Sequence, residues 1–379
     1  MTFRLGILGG GLQGTEAACL ARWAGWETVL VDARPQAPAS ALAGRFLHLP
    51  VAGFGDLEKA FGHCDAVVPA CEDLPTLELL SRWGDESGLP VAFDLEAYRI
   101  SRDKILSKAL FLKAGIPAPL AWPEAGYPLI AKPAASSGSR GVTLLATEAD
   151  FRRKFPSGDI SGWVVEEYCP GPSYSLEATG RPGAHRAWLT TALEMDEVYD
   201  CRLVRAPAAL PGRQEEELRS FSLKTAAALG LTGLMDVEVI AAPQGLRVLE
   251  IDARLPSQTP TAVLWSSGEN LLARLTEIFC PCPRPEPAVS GRAVIYEHAA
   301  VTPAGLKSAG EHLMSAAGPL SLKENFFGAD LAVTDYAPGR AAWAAALIMT
   351  GEDADAAQAR RREVWARLAR RFSRQRTIQ

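Results

Sequence analysis

Acidic side chains recur at alternate positions in two apolar stretches that lie close together in the sequence. The first stretch, 235–240, carries Glu238, and the second, 246–254, carries Glu250 and Asp252. A turn containing proline and glycine separates the stretches, so they are predicted to pair as a β-hairpin. Side chains two residues apart in a strand share one face. Carboxylates gathered on one face need a counter-charge, and Mg²⁺ bound by hard oxygen ligands would supply it.

An arginine, Arg254, follows Asp252 at the same two-residue spacing. An arginine beside metal-binding acids can stabilise the charge of a phosphoryl group during its transfer. A simple solvated hairpin face is a poor alternative, because the intervening residues of both stretches are strongly apolar. We therefore predict that Glu250 and Arg254 are catalytic, together with Lys132.

Two lysines and a loop of small residues could bind phosphate groups. Lys132 ends an apolar strand, and the serine- and glycine-rich loop 136–140 follows it directly. A lysine that ends a buried strand is costly unless its ammonium meets an anion, and the N–H groups of such a loop can bind phosphate oxygens. The alternative is a lysine that extends to solvent. We predict phosphate contacts from Lys104, which lies in a helical pattern, and from Lys132, Ser137 and Ser139.

An apolar strand over 163–168 runs into the acids Glu166 and Glu167 and ends at Tyr168. This pattern suggests a hinge between domains, where backbone groups could pair with the edge of an adenine and a glutamate with its amino group. Many strands end in two glutamates, so the pattern is unspecific when taken alone.

A glycine-rich turn, with Gly9, Gly11 and Gly14, follows the first apolar strand, and Asp32 ends the second. The spacing is typical of the dinucleotide-binding fingerprint, in which an acid contacts the ribose. The same turn also binds other anionic or zwitterionic ligands at a helix N-terminus. This segment alone slightly favours a nicotinamide-dependent dehydrogenase.

Strands and helices alternate over the first 95 residues, which predicts a parallel α/β unit. Strands are predicted at 5–8, 28–31, 66–69 and 91–93, and one charged helix at 94–113. From about 169 to 300 the pattern is mostly strands with one clear helix, at 215–229. The chain has 379 residues, too many for one compact core. The predicted domains are 1–95, 96–168 and 169–379, in an α/β and α+β fold.

Composition excludes several classes of protein. The net charge of −5 gives no support for a nucleic-acid partner. Apolar runs are too short to span a bilayer, and the N-terminus shows no cleavable signal. The seven cysteines are scattered and odd in number, which suits reduced thiols. We expect a cytoplasmic protein with small-molecule partners.

The order of these motifs resembles the ATP-grasp superfamily. The resemblance rests on Lys104, Lys132 with its loop, the hinge at 166–168, and Glu238 followed by Glu250, Asp252 and Arg254. Longer segments are similar to the ATP-grasp ligase family of pyrrolysine biosynthesis, over 10–18, 93–104, 199–201, 233–238, 250–261 and 295–298. The resemblance implies an ATP-grasp fold with an N-terminal Rossmann-like domain that binds a substrate rather than a dinucleotide.

The resemblance also implies a reaction and its ligands. ATP, with Mg²⁺, would phosphorylate the carboxylate of 3-methyl-D-ornithine, and the ε-amine of L-lysine would attack the acyl phosphate. The implied ATP contacts are Lys104, Lys132, Ser137, Ser139, Glu166, Glu167 and Tyr168. The implied metal ligands are Glu238, Glu250 and Asp252. The implied substrate contacts are Leu12, Gln13 and Glu72 for lysine, and Glu177, Asp200, Arg254, Ser257, Gln258 and Thr259 for the ornithine side and the intermediate.

Some points stay open at this stage. Pairing with a structural Arg or Lys is as good an account of Glu177 and Asp200 as substrate binding. Gly11 and Ser173 depart from the family pattern, where a lysine and a glutamate are usual. A ligase for another amino acid pair, a dehydrogenase and a non-catalytic binding protein are alternatives. The oligomeric state is open, with a homodimer as one option.

Overall fold

The computed structural model describes residues 2–136, 138–283 and 291–376. The chain divides into two units, each formed by separate segments. Unit 1 takes in the described residues of Met1–Leu95, Cys201–Pro207 and Leu255–Gln379, and unit 2 takes in those of Glu96–Asp200 and Ala208–Arg254. No helix in the described parts of the chain is long and apolar enough to cross a membrane.

The elements follow one another in a mixed α/β order. The helices are α1 (Leu12–Trp23), α2 (Phe54–Phe61), α3 (Leu74–Ser87), α4 (Leu95–Ser101), α5 (Lys104–Ala114), α6 (Glu148–Lys154), α7 (Gly212–Leu229), α8 (Thr259–Ser267), α9 (Leu271–Phe279), α10 (His312–Ser315) and α11 (Ala354–Arg376). The first nine strands are β1 (Arg4–Leu8), β2 (Glu27–Asp32), β3 (Arg45–His48), β4 (Ala66–Pro69), β5 (Leu129–Pro133), β6 (Thr143–Leu145), β7 (Trp163–Glu167), β8 (Ser173–Gly180) and β9 (Arg186–Met195). The others are β10 (Cys201–Ala206), β11 (Gly233–Ala242), β12 (Gly245–Asp252), β13 (Ala293–Thr302), β14 (Gly305–Ser308), β15 (Ser321–Phe326), β16 (Ala329–Thr334) and β17 (Trp343–Gly351).

Unit 1 begins with a parallel sheet of order β3-β2-β1-β4. Its inner strands β1 and β2 are apolar along their centres, and Leu5, Ile7, Leu30 and Val31 are fully buried. Parallel strands covered on both faces read as such continuous apolar runs. The predicted parallel α/β arrangement of the first 95 residues is confirmed.

Two details of this sheet differ from the sequence prediction. Strand β3 was not predicted, because Arg45–His48 mixes charged and apolar residues at a sheet edge and has no apolar run. The segment 91–93, predicted as a strand, contributes only an isolated bridge between Val91 and Val67. Pro90, just before it, has no N–H to donate to a ladder.

Antiparallel strands form the second part of unit 1, in the order β10-β13-β17-β16-β15, with β14 paired to β13. Helix α11 packs its buried Ala357, Val364 and Leu368 into the same apolar cluster as Leu347 and Met349 of β17. These helix positions recur at helical spacing, and Arg361, on the same side of α11, pairs with the buried Glu297 of β13.

Unit 2 contains two antiparallel sheets. One has the order β12-β11-β8-β9 and the other the order β6-β5-β7. Buried residues of β8, β11 and β12, with Leu218 and Ala226 of α7, form its larger core. The predicted hairpin is present as β11 and β12. The predicted long helix at 94–113 is two helices, because Asp103 caps α5 by accepting the N–H groups of Ile105 and Leu106.

A buried carboxylate joins distant segments within unit 1. Glu16 of α1 accepts N–H groups from Thr261 at 2.6 Å and Gln258 at 3.3 Å, at the start of α8. The N–H groups of a helix N-terminus favour an acidic partner. Gln258 has φ of 69°, a backbone conformation that costs free energy for a residue with a side chain. Glu16 therefore helps to hold a strained entry into α8.

We expect the stability contribution of Glu16 to depend on pH. Burial and, to a smaller extent, the charge of Glu311 raise the pKa of Glu16 from 4.5 to about 7, against the hydrogen bonds from Thr261 and Gln258. A carboxyl whose pKa is higher in the folded state favours folding at low pH, and that contribution is lost as pH rises towards the folded-state pKa. Between pH 4.5 and 7 the free energy of unfolding of the wild type should therefore fall relative to that of Glu16→Gln, by on the order of 3 kcal/mol.

Urea unfolding of both proteins from pH 4.5 to 8 measures this difference. Glu86→Gln, at an exposed position of α3, is the matched control and should show no such trend. A difference between wild type and Glu16→Gln that stays constant across this pH range would contradict the assignment.

Candidate functional site

A cleft of about 770 Å³, counting its open side, lies within unit 2. Most of the residues that sequence analysis assigned to ATP line it. These ATP residues are Lys104, Lys132, Ser139, Glu166, Glu167 and Tyr168, and the predicted metal ligands Glu238 and Glu250 line the cleft as well. Ser137 lies outside the described residues. Apolar side chains, among them Ile130, Val142, Ile240 and Leu249, complete the wall.

Glu166 lies under this cleft between two lysines. It is on β7, which pairs with β5, the strand of Lys132. One carboxylate oxygen of Glu166 is 2.7 Å from the ammonium of Lys132, and the other is 2.5 Å from that of Lys108 on α5. Burial alone would raise the pKa of Glu166, but Lys132 and Lys108 hold that pKa below its ordinary value. The carboxylate is therefore ionised and doubly paired.

Lys104 links the loop after β5 to the hairpin. Its ammonium donates to the carbonyl oxygen of Ser136 at 2.5 Å and lies 2.7 Å from Oε1 of Glu250. Its side chain is almost completely buried. Lys104 is the first residue of α5, and the Asp103 cap fixes the position at which that helix begins. Both predicted phosphate-binding lysines thus enter the cleft beside carboxylates.

The strand register gathers the acids on one face of β8, β11 and β12. Glu238 lies opposite Glu250, and Asp236 lies opposite both Asp252 and Glu177. Directly paired residues point to the same side of a sheet. Sequence analysis singled out the other four acids of this face but missed Asp236, although Asp236 precedes Glu238 by the same two-residue period.

An irregularity in the hairpin sets this arrangement. The register shifts between Glu238 and Val239, so that Val239 pairs with Val248 while Glu238 pairs with Glu250. The extra residue, Leu249, lines the cleft. A bulge of this kind moves later side chains to the other face. Val248 and Ile251 can therefore both lie in the core although they are three positions apart.

The acidic face carries an excess of negative charge. Burial raises the pKa of Asp236 well above its ordinary range, and the charges of Asp252 and Glu238 raise it further. Arg254 opposes this effect and lies 2.9 Å from Asp252. The face therefore favours cationic ligands.

These donors fit a hard divalent cation. Glu238, Glu250 and Asp252 offer only oxygen atoms, on adjacent positions of two paired strands, and such ligands suit Mg²⁺. Across the parts of the chain that the structure describes, no three metal-ligating side chains are already grouped around one point. Glu250 instead contacts Lys104, and Asp252 contacts Arg254. A bound cation would have to compete with these two ion pairs.

The predicted substrate residues fall into separate groups. In unit 1, Gln13 donates from its side chain to Glu72 at 2.8 Å, beside Leu12 at the start of α1. Ser257 donates to Glu311 at 2.6 Å, and Gln258 and Thr259, both buried, precede and begin α8. In unit 2, Glu177 is buried on the acidic face, and Asp200 donates its backbone N–H to the Asp196 side chain. The roles of all these residues in binding stay predictions.

The acid of the dinucleotide-like turn is already occupied. Asp32 accepts the N–H of Gly10 at 2.6 Å and is ion-paired with Arg34 at 3.1 Å. If this segment bound a nicotinamide dinucleotide, the Asp32 carboxylate would accept hydrogen bonds from the ribose hydroxyls. In the structure the Asp32 carboxylate instead holds the glycine-rich turn, which weakens the interpretation as a dinucleotide site.

Comparison with known proteins agrees with the geometry of unit 2. The ATP-grasp domain profile matches residues 101–258. A 3-methyl-D-ornithine–L-lysine ligase of Methanosarcina barkeri is 41% identical over 295 residues, which cover 77% of this chain and 78% of that protein. The chain belongs to the ATP-grasp family of carboxylate–amine ligases. An enzyme of the same name from Methanosarcina acetivorans is 41% identical over 275 residues, 72% of each chain.

Solved structures confirm the ATP-grasp fold. An N5-carboxyaminoimidazole ribonucleotide synthetase, crystallised as its ADP complex, superimposes with a TM-score of 0.72. The match covers 96% of this chain and 97% of that protein at 15% identity. At this identity the likeness establishes the ATP-grasp architecture, and the substrates must be argued from the side chains.

The acidic face of this ATP-grasp ligase generates a prediction for Glu250→Gln. The substitution removes one negative charge from the proposed metal ligands and weakens the contact with Lys104. We expect the rate of Mg²⁺-dependent ADP release to fall roughly a hundredfold or more, with the circular dichroism spectrum unchanged. Glu216→Gln, at an exposed position of α7, is the control and should behave as wild type. Near-normal turnover in Glu250→Gln would show that these acids do not hold the metal.

Proposed function

We propose that this ligase uses ATP to join 3-methyl-D-ornithine to the ε-amine of L-lysine, as a step of pyrrolysine biosynthesis. The observation that carries the proposal is the acidic face of β8, β11 and β12, beside a cleft that contains Lys104 and Lys132. Lysines suit the phosphates of ATP, and an excess of carboxylates suits a substrate with two ammonium groups. The Methanosarcina ligases named above, at about 40% identity, carry the corresponding names.

The first step in this proposal is phosphoryl transfer. The carboxylate of the ornithine attacks the γ-phosphorus of ATP, the bond to the β-phosphate oxygen breaks, and ADP leaves. Lys104, Lys132 and Arg254 would neutralise the charge of the phosphoryl oxygens during the transfer. Mg²⁺, held by Glu238, Glu250 and Asp252, would supply further charge neutralisation when bound. The serine-containing loop after β5 would place backbone N–H groups around the phosphates.

The second step is amide formation. The neutral ε-nitrogen of lysine attacks the acyl carbon, phosphate leaves, and the nitrogen releases a proton. An ammonium cannot attack, so its pKa of about 10.4 must fall, and burial or nearby positive charge lowers it. Glu177 and Asp236 on the acidic face would hold the ammonium groups of the ornithine. Asp236 is an addition to the residues identified from the sequence.

The lysine substrate would be oriented by the N-terminal domain. The start of α1 has backbone N–H groups that suit a carboxylate, and Glu72, held next to it by Gln13, suits the α-ammonium. Fixing both α-groups leaves the ε-nitrogen as the nucleophile. This accounts for an ε-linked product without any further group on the protein.

The direct test measures ADP release by purified protein with Mg²⁺-ATP and a panel of diamino acid pairs. We expect the highest turnover with 3-methyl-D-ornithine and L-lysine, and little with L-ornithine as acceptor because it is one methylene shorter. Mass spectrometry of the product made from ε-¹⁵N-lysine identifies the nitrogen that reacts. A mainly α-linked product, or higher turnover with another pair, would overturn the substrate assignment while leaving the ATP-grasp ligase intact.

Glu72→Ala tests the orientation of lysine. Loss of an ionic contact to the α-ammonium should raise the KM for lysine roughly tenfold to a hundredfold, because a charged hydrogen bond is lost. The KM for ATP should not change. Glu86→Ala on α3 is the control for an acid in the same unit. A KM for lysine equal to that of wild type would exclude Glu72 from the lysine site.

A further inference from the structure

Glu166 is unusual because two ammonium groups share one buried carboxylate. Glu166 is 1% exposed, and the side chains of Lys132 and Lys108 are 12% and 20% exposed. Lys132 and Glu166 are among the described residues that line the cleft, whereas Lys108 is not. The cluster therefore has one lysine that faces the ligand space and a second lysine behind it.

Helix α5 explains how the second lysine reaches this position. Lys104 and Lys108 are four residues apart, so they lie on the same side of the helix. Like charges at this spacing repel each other. The two lysines are paired with different acids, since Lys104 contacts Glu250 of β12 and Lys108 contacts Glu166 of β7. Lys104 is therefore paired with Glu250 and does not neutralise Glu166.

Charge balance limits what can happen at Glu166. An ionised carboxylate away from water needs at least one cationic partner. With two partners the cluster carries one surplus positive charge. Burial lowers the pKa of Lys108, and the charge of Lys132 lowers it further, against the attraction of Glu166. The two ammonium groups therefore repel each other, and the departure of one from Glu166 is tolerable only while the other stays.

We propose that Lys108 is a positioning residue that keeps Glu166 neutralised, so that Lys132 is released to contact a phosphate oxygen when a nucleotide enters the cleft. Lys132 breaks its ion pair with Glu166 and Lys108 retains its own. Lys108 itself does not touch the nucleotide. The inference rests on the proposed function only in requiring that the cleft bind ATP or ADP, and it is independent of the amino acid substrates.

A double-mutant cycle with Mg²⁺-ADP as the ligand tests this inference. Lys108→Met removes the charge but keeps a similar length, and among the described residues it leaves Glu166 ion-paired with Lys132. We expect ADP affinity, measured by calorimetry, to fall roughly tenfold or more, because Lys132 must then leave an unpaired buried carboxylate. Lys113→Met, at an exposed position of the same helix, should have no effect.

The decisive comparison repeats the Lys108 substitution in a Glu166→Gln background. Without the carboxylate there is nothing for Lys108 to neutralise, so Glu166→Gln and Lys108→Met/Glu166→Gln should bind ADP with equal affinity. A loss of the same size in both backgrounds would mean that Lys108 contacts the nucleotide or only supports the fold. Unchanged affinity in Lys108→Met alone would also overturn the inference.

If Lys108→Met does not fold, the comparison of Glu166→Gln with Lys108→Met/Glu166→Gln still stands, because it does not use that single variant. In that case Lys108→Arg replaces it in the wild-type background, and it should keep ADP affinity within about threefold because the charge is retained. A wild type that binds no ADP would overturn both this inference and the ligase. Binding of ADP without turnover of the proposed amino acids would leave this inference in place.

Discussion

Charges buried away from water must be balanced by charges of opposite sign. Unit 2 contains two arrangements of charged groups, one with more positive than negative groups and one with more negative than positive groups. Around Glu166 the lysines outnumber the acid. On the face of β8, β11 and β12 the acids outnumber Arg254. An anionic phosphate reduces the excess at the first arrangement, and a cationic metal or ammonium reduces it at the second. The register of the strands, the start of α5 and the bulge in β12 place the charged groups of both arrangements.

Local patterns in the sequence predicted much of the fold. A few consecutive residues were enough to recognise the apolar runs of β1, β2 and β4. The same is true of the alternation of apolar and polar residues in β11 and β12. Helix α8 was missed for the opposite reason. Almost every residue of α8 is buried, so the helix has no polar face and no helical period to detect. The end of α4 depended on a single capping residue, Asp103, within an otherwise continuous helical pattern.

The candidate site was predictable as a set of residues but not as a set of pairs. Lys132 and Glu166 were both identified, yet their ion pair depends on the register between β5 and β7, which no local pattern encodes. Glu166 was assigned to ATP binding, which stays a prediction, and its carboxylate contacts Lys132 and Lys108. Lys108 was missed because a lysine on a charged helix normally lies in solvent. Asp236 could have been found by extending the two-residue period one step before Glu238.

The contact between Glu16 and Thr261 has a consequence for how the chain is made. The two residues are 245 positions apart, and Asn270, which donates to the carbonyl oxygen of Leu20 on the same helix, is farther still. During synthesis, α1 therefore emerges from the ribosome long before the segment that buries it. The parallel sheet can pair early and cover one side of α1, but the side that packs on α8 and α9 stays exposed until most of the protein has been translated. An isolated fragment ending near residue 95 would lack both contacts, so we do not expect the segment 1–95 to be an autonomous module that could be exchanged by simple recombination.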